Sequence, residues 1–351
     1  AQSRLFLIRL FFTFAYLGLM IRAFDIMILQ GELSHFRDQV GLNAPIVSTT
    51  TTPRRDIVDR NGVLLATSIK TASLYADPKY ILDPEKTARG LSQIFPDQNY
   101  GDLIEKFEGN KRFIWIKRNL TPDEQAAVLE LGQPGLNFQE EYRRVYPQGP
   151  IAAHVIGYNS VDSDGLAGIE RGLNTVLAKN GDPVRLTLDV RLQHILRREV
   201  EQTLHDFTAT GGAGVIMDVH TGDVLALASL PDFDPNQMRS VKDTQMFNRA
   251  TLGTYELGST FKIFTTAAAF EQLNMPMSQS YDTRQPIKVG RFTISDFHPE
   301  NRIQTVPEIF MHSSNIGTAM MAQQIGTEGL KSFFEQLGFF DPIAFDLPED
   351  G

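Results

Sequence analysis

Residues 5–29, LFLIRLFFTFAYLGLMIRAFDIMIL, form an apolar stretch long enough to cross a bilayer as one helix. No other feature constrains the topology as much, because a helix in hydrocarbon commits all that follows it to one side of a membrane. Arg9, Arg22 and Asp25 interrupt the stretch, and only Leu10 to Ile21 is free of charge. A run that short also suits a signal-peptide core or a buried helix. Arg4 and Arg9 precede it and no small-residue cleavage site follows, so the expectation is an uncleaved single-pass anchor with a cytoplasmic N-terminus and an exported remainder. Arg22 and Asp25 are costly in lipid and are expected at the outer interface or against a partner helix.

The remainder is long enough for two or three domains at ~150 residues each, and 42% hydrophobic residues suffice for their cores. A net charge of −9 with no long basic run gives nucleic acid no electrostatic footprint. Cysteine is absent, which removes disulfides, thiolate metal sites and cysteine nucleophiles together. The seven histidines show neither HxxxH nor HxH spacing, so no metal and no cofactor is expected.

Past the anchor, 31–53 reads as a juxtamembrane polar helix followed by the STTTTP linker, and ordered structure is expected from Arg54. Asp83-Pro84 and Thr121-Pro122-Asp123-Glu124 are helix starts, the second a capping box with Gly132 as its C-terminal stop. Strand-like runs at 72–76, 113–116 and 137–146 surround them. Residues 54–181 thus read as an α+β module without chemistry of its own. From Asp182 the pattern changes: a strand at 184–188, a helix from Val190 to about Phe207, a Gly211-Gly212 break, and a hairpin turning at His220-Thr221-Gly222-Asp223. Such a series builds an antiparallel sheet with packed helices, so the fold class is α+β throughout.

The chemistry concentrates at Tyr255-Glu256-Leu257-Gly258-Ser259-Thr260-Phe261-Lys262, which leads into the apolar, Ala-rich run IFTTAAAFEQL. Ser259 and Lys262 are three apart, so at a helix start they share a face. A serine hydroxyl attacks only when a neighbour takes its proton. A lysine at the positive end of a helix, partly desolvated, is pushed toward the neutral form that can do so. Gly258 lets a substrate approach the backbone closely. Taken alone, the tetrad also fits an ordinary exposed helix turn. A second element, Ser313-Ser314-Asn315, follows the capping box Thr305-Val306-Pro307-Glu308, and the two motifs together belong to the signature of penicillin-binding proteins and serine β-lactamases. The third element of that signature, K-T-G, does not occur. The nearest lysine after Ser313 is Lys331, followed by Ser332 and Phe333, and the sequence ends at Gly351.

On these residues the chain resembles the class B penicillin-binding proteins. Pro53 to Ala66 is similar to the family's R-G-x-x-x-D-R-N-G element, with Asp56 where glycine is usual. Residues 144–149 and 165–170 match two further elements of the family's pedestal, in which Arg55, Asp59, Arg60 and Glu170 read as ion-paired scaffold. Leu186 to Asp189 with Leu192-Gln193 resembles the opening of the transpeptidase domain, and Leu257 replaces a usual proline before the nucleophile. The run His312 to Gly317 is closer to the division type than to the elongation type.

The resemblance implies a stub and anchor over 1–30, a juxtamembrane segment over 31–53, a pedestal over 54–181 and an incomplete transpeptidase domain over 182–351. It implies a D,D-transpeptidase that cross-links peptidoglycan stem peptides during division, sits in the bacterial inner membrane with its catalytic domain in the periplasm, and is acylated by β-lactams. Ser259 is the implied nucleophile, Lys262 its base, Ser313 a proton relay, and Asn315 a hydrogen-bonding partner of Lys262 or of the substrate. Gly258, Ser259 and Asn315 line the substrate, with the Ser259 N–H as half of an oxyanion hole. Implied partners are a lipid-linked nascent glycan, an FtsW-like glycosyltransferase and small bitopic division proteins. A non-catalytic division scaffold and an elongation-type member remain alternatives. Residues 54–181 carry no glycosyltransferase glutamate motif, against a bifunctional class A protein, and a β-lactamase or carboxypeptidase would lack this pedestal. With the K-T-G strand missing, the 351 residues are expected to bind β-lactams poorly by themselves.

Overall fold

The computed structural model describes residues 52–109, 111–343 and 345–348, together with Tyr16, Leu17 and Met20. The expected anchor and the extension at 31–43 otherwise lie outside the described residues, and none of the described helices is long and apolar enough to cross a membrane. The chain divides into two compact units that interleave in sequence. Ala1–Gly149, Tyr158–Leu166 and Leu173–Val190 form the first; Pro150–Gly157, Ala167–Gly172 and Arg191–Gly351 form the second. The sequence pattern suggests a single boundary near 182.

In the first unit β1 (Ile57–Val58), β2 (Leu64–Ala76), β3 (Ile114–Leu120), β4 (Leu136–Val145) and β5 (Val184–Arg185) make one five-stranded sheet. Helices α1 (Pro84–Ile94), α2 (Tyr100–Glu108) and α3 (Pro122–Glu130) fall between its strands in sequence. β2 is the spine: it pairs antiparallel with β4 from Thr67 to Ala76, with β3 from Ala72 to Ala76, and with β1 near Leu64 and Ala66. β5 returns parallel to β1. Leu74, Leu91, Phe95, Leu103, Phe107, Ile116 and Val128 meet in one buried cluster that joins the three helices to the sheet. The helix starts follow the sequence. The Asp83 side chain accepts from Lys86 N–H at 2.9 Å, and Thr121 and Glu124 close their capping box with bonds of 3.2 and 2.8 Å. Gly132 carries the left-handed φ of +59° expected of a C-terminal stop.

Asp59 organises the element at 53–66. Its buried carboxylate accepts from the backbone N–H groups of Asn61 and Val63 at 2.8 Å each and of Val190 at 3.2 Å, while the Asn61 amide adds a bond at 3.3 Å. Arg55 donates to the Asp182 carbonyl at 2.5 Å. Among the described residues, bonds to the main chain stand in place of the ion pairs expected of these two residues. A carboxylate has enough lone pairs to satisfy several amides at once, and a guanidinium can fork between carbonyls. Arg144 does the latter, donating to the Arg55 carbonyl at 2.9 Å and to that of Arg54 at 3.4 Å. Burial pushes the Asp59 carboxyl up, and the amide bonds from Val63, Val190 and Asn61 outweigh it, so its pKa lies below the usual value.

After its two short early stretches the second unit resumes at Arg191, within α4 (Val190–Asp206), whose residues from there on pack against the hairpin of β6 (Gly212–Met217) and β7 (Val224–Leu230). The buried Gln193 side chain pairs with Leu227 as a second backbone would, donating to its carbonyl at 2.6 Å and accepting from its N–H at 2.9 Å. A Cβ on Gly214 would sit 2.7 Å from a Leu196 methyl, so the glycine is what lets helix and strand approach. The unit continues through α5 (Lys262–Leu273), the short strands β8 (Ser280–Asp282), β9 (Ile287–Val289), β10 (Phe292–Ile294) and β11 (Ile303–Thr305), and helices α6 (Val306–Met311) and α7 (Asn315–Gln336). Ala269, Met275, Val306, Ile309 and Met321 form the core that joins α5, α6 and α7.

Asp59→Ala strands buried N–H donors and is expected to destabilise the protein by about 1–3 kcal/mol at neutral pH. Because the folded pKa is depressed, the native carboxylate's contribution is complete above its ordinary value and fades as pH falls through the lowered one. Thermal unfolding at pH 7 and at pH 3 checks both statements: the gap between native and variant narrows in acid.

Candidate active site

Ser259 lies in the 3₁₀ turn Gly258–Phe261, which feeds directly into α5 at Lys262. Gly258 has φ +57° and a Cβ there would meet nothing, so backbone conformation rather than crowding requires glycine at this position. The Ser259 side chain is exposed. Phe261, between serine and lysine, packs against Phe264, Phe334 and Phe339 with ring centroids 5.5, 5.3 and 6.0 Å away. These rings fasten the turn to the far end of α7.

The Lys262 ammonium is half-buried and donates to Ser313, to the carbonyl at 2.5 Å and to Oγ at 2.9 Å. The structure thus brings together two residues 51 apart in sequence. Burial lowers the Lys262 pKa, and the charge of Asp296 opposes that shift without cancelling it. A lysine so placed reaches its neutral form more readily than one in water.

Ser313 owes its place to the way α6 ends. Ser314 N–H bonds the Ile309 carbonyl at 2.9 Å and Ser313 N–H bonds the Phe310 carbonyl at 3.2 Å, the paired closure of a Schellman motif. That motif needs a left-handed residue after the cap, usually glycine, and here Ser313 supplies it with φ +54°. A side chain in that conformation costs about 1–2 kcal/mol. The strain coincides with the hydroxyl that Lys262 binds.

Ser314 is buried and begins α7: its Oγ accepts from Gly317 N–H at 3.0 Å and donates to Asp296 at 2.8 Å. Asp296 also accepts from Ile316 N–H at 2.9 Å. The Asn315 amide donates to the Ser295 carbonyl at 2.9 Å and not to Lys262. Sequence reasoning missed Ser295 and Asp296. Neither lies at helical or strand spacing from the serine motif, and only the fold brings them there.

Two family models match the chain. Residues 49–179 match the "Penicillin-binding Protein dimerisation domain" and residues 212–351 the "Penicillin binding protein transpeptidase domain". The chain is 37% identical over 352 residues to the "Probable peptidoglycan D,D-transpeptidase FtsI" of Caulobacter vibrioides, a match covering 99% of this chain and 58% of that protein. It is 33% identical over 356 residues to the "Probable peptidoglycan D,D-transpeptidase PenA" of Neisseria meningitidis, covering 92% of this chain and 60% of that protein. The chain therefore spans less than two thirds of either relative. A solved peptidoglycan synthetase from Bifidobacterium adolescentis shares the fold, with TM-score 0.63 at 20% identity over 86% of this chain and 64% of that one.

The left-handed position of Ser313 separates stability from chemistry. Ser313→Gly is expected to be about 1 kcal/mol more stable than Ser313→Ala, although both lose the hydroxyl that Lys262 binds. Thermal unfolding of the pair measures this, and equal midpoints would show that the turn carries no such strain.

Proposed function

Because this chain belongs to the class B penicillin-binding proteins, with a dimerisation domain followed by a transpeptidase domain, we propose that the protein it comes from is a peptidoglycan D,D-transpeptidase of cell division. The observation that carries the reading is Lys262 Nζ resting on Ser313 Oγ, one helical turn from an exposed serine at the start of the same helix.

Ser259 Oγ attacks the carbonyl carbon of the penultimate D-alanine of a stem peptide and passes its proton to neutral Lys262. The oxyanion of the tetrahedral intermediate lies against the Ser259 N–H, a contact worth roughly 3 kcal/mol per donor in such sites. Collapse breaks the amide bond. The departing amine of the terminal D-alanine takes a proton from Lys262 by way of the Ser313 hydroxyl, leaving an ester on Ser259. An amine from a second stem peptide then attacks that ester, and Lys262 and Ser313 shuttle the proton in the opposite sense as Ser259 is released. A β-lactam enters the same path, but its leaving amine stays tethered and the ester persists. Gly258 and Asn315 border the bound peptide, the glycine through its open backbone and Asn315 through the amide fixed on Ser295.

The same reading places the protein in the inner membrane by the segment at 5–29, with both folded units in the periplasm. It pairs the protein with an FtsW-like glycosyltransferase that supplies the nascent glycan from its lipid-linked precursor, and with small bitopic division proteins.

In the full-length protein, Ser259→Ala is expected to abolish covalent penicillin labelling as read by intact-protein mass spectrometry. Adduct on that variant would exclude Ser259, and a wild type that takes no penicillin would favour a division scaffold. Lys262→Arg keeps the charge but cannot surrender its proton, so acylation is expected to fall by at least ~100-fold. The wild-type acylation rate should rise with pH through the lowered pKa of Lys262, since only the neutral amine accepts the Ser259 proton.

A further inference from the structure

Ser313 and Asn315 face the chemistry, but neither fixes its own position. Ser313 sits in a strained turn between two helices, and Asn315 is the first residue of α7. The end of α6 places Ser313, and what ties the residues directly after it is the segment Ser295-Asp296, which follows β10 and crosses the start of α7. One carboxylate oxygen of Asp296 accepts the Ser314 hydroxyl at 2.8 Å, the other accepts Ile316 N–H at 2.9 Å, and the Ser295 carbonyl accepts Asn315 at 2.9 Å. Ser314, Asn315 and Ile316 are thereby tied to two consecutive residues of the loop. The site favours an anion twice over, since the N–H groups at a helix start lack intrahelical partners and the helix dipole is positive there.

We propose that Asp296 is a positioning residue of this site: by bridging the Ser314 hydroxyl and the Ile316 N–H, its carboxylate sets where the turn bearing Ser313 meets Lys262. The inference rests on the acyl-serine reading for its consequence in catalysis, but the clamp is a property of the fold that can be tested without it. Asp296 also acts on Lys262 directly. Among the described residues it supplies the one charge that shifts the lysine, and it favours the ammonium against the burial that disfavours it. A single carboxylate therefore orients the proton relay and moderates the base. Substitution separates these effects, because asparagine keeps an acceptor for Ile316 N–H and removes the charge, whereas alanine removes both.

The test uses the full-length protein with Asp296→Asn, Asp296→Ala and Ser314→Ala. Reductive methylation of Lys262 is followed against pH by peptide mass spectrometry, and acylation of Ser259 by a fluorescent penicillin. Asp296→Asn is expected to move the methylation midpoint of Lys262 to lower pH, with the rising limb of the acylation profile moving the same way. Asp296→Ala is expected to slow acylation about 10- to 100-fold, the loss that a displacement on the scale of an ångström produces, and Ser314→Ala to slow it less. A methylation profile for Asp296→Asn that superimposes on wild type, or acylation of Asp296→Ala within about twofold of wild type, overturns the proposal. Should Asp296→Ala fail to fold, Ser314→Ala, which breaks one leg of the bridge and leaves the carboxylate in place, decides the matter: acylation at the wild-type rate overturns the proposal. Failure of the acyl-serine reading looks different: wild type would take no penicillin on Ser259, and the methylation midpoints would still report on Asp296.

Discussion

The contact between the Lys262 ammonium and the Ser313 hydroxyl is where the second unit's separate solutions meet. For it to form, α5 must start at the residue after a serine turn, α6 must end in a left-handed residue, and α7 must begin at once. Each requirement has its own local cause. Gly258 supplies the positive φ before Ser259, Ser313 accepts one at a cost in strain, and Ser314 caps the helix that follows. None of the three acts without the apolar core of α5, α6 and α7, which fixes the distances between them.

The first unit solves a different problem with a similar device. A two-residue strand, β1, cannot hold a sheet by its own ladder. Asp59 adds to it by gathering amides from a turn on one side and from Val190 on the other. In both units a carboxylate works as a template for the donors around it, the buried Asp59 for main-chain N–H groups at a turn and the half-buried Asp296 for one N–H and a hydroxyl at a helix start. Such acids anchor geometry without themselves reacting, which is why acidic residues in motifs are poor guides to catalysis.

Local chemistry was legible in the sequence and distant chemistry was not. The capping boxes at Thr121 and Thr305, the proline-led helix at Pro84 and the helix that opens at Lys262 just after the Ser259 turn all follow from rules that act over three or four residues. β2 was underestimated, since Thr67, Ser68, Lys70 and Thr71 blur the alternation that marks a strand, and its 13 residues appear only once three partners are in place. The strands β8 to β11 are three residues each, too short for any period to register. Asp296 left no trace because its partners lie 18 and 20 residues away, beyond β11 and α6. The ion pairs expected around Asp59 failed for a related reason: charge is visible in a sequence, whereas an unsatisfied backbone amide is not.

The broken helix α7 has a mechanical meaning. Gly326, with φ +77° and ψ +167°, interrupts it, so the segment before the break carries Ser314 and Asn315 while the segment after it presents Phe334 to Phe261. The start of the Ser259–Lys262 helix is therefore held at two places, by Ser313 just ahead of the first segment, whose hydroxyl Lys262 binds, and by Phe334 of the second, which packs on Phe261. A helix start gripped at two separated points has lost its freedom to roll about its own axis, and rolling is the motion that would swing Lys262 off Ser313. The angular aim of the base is thus entrusted in part to hydrocarbon that takes no part in proton transfer, where a lost ring contact would be felt as misalignment rather than as missing chemistry.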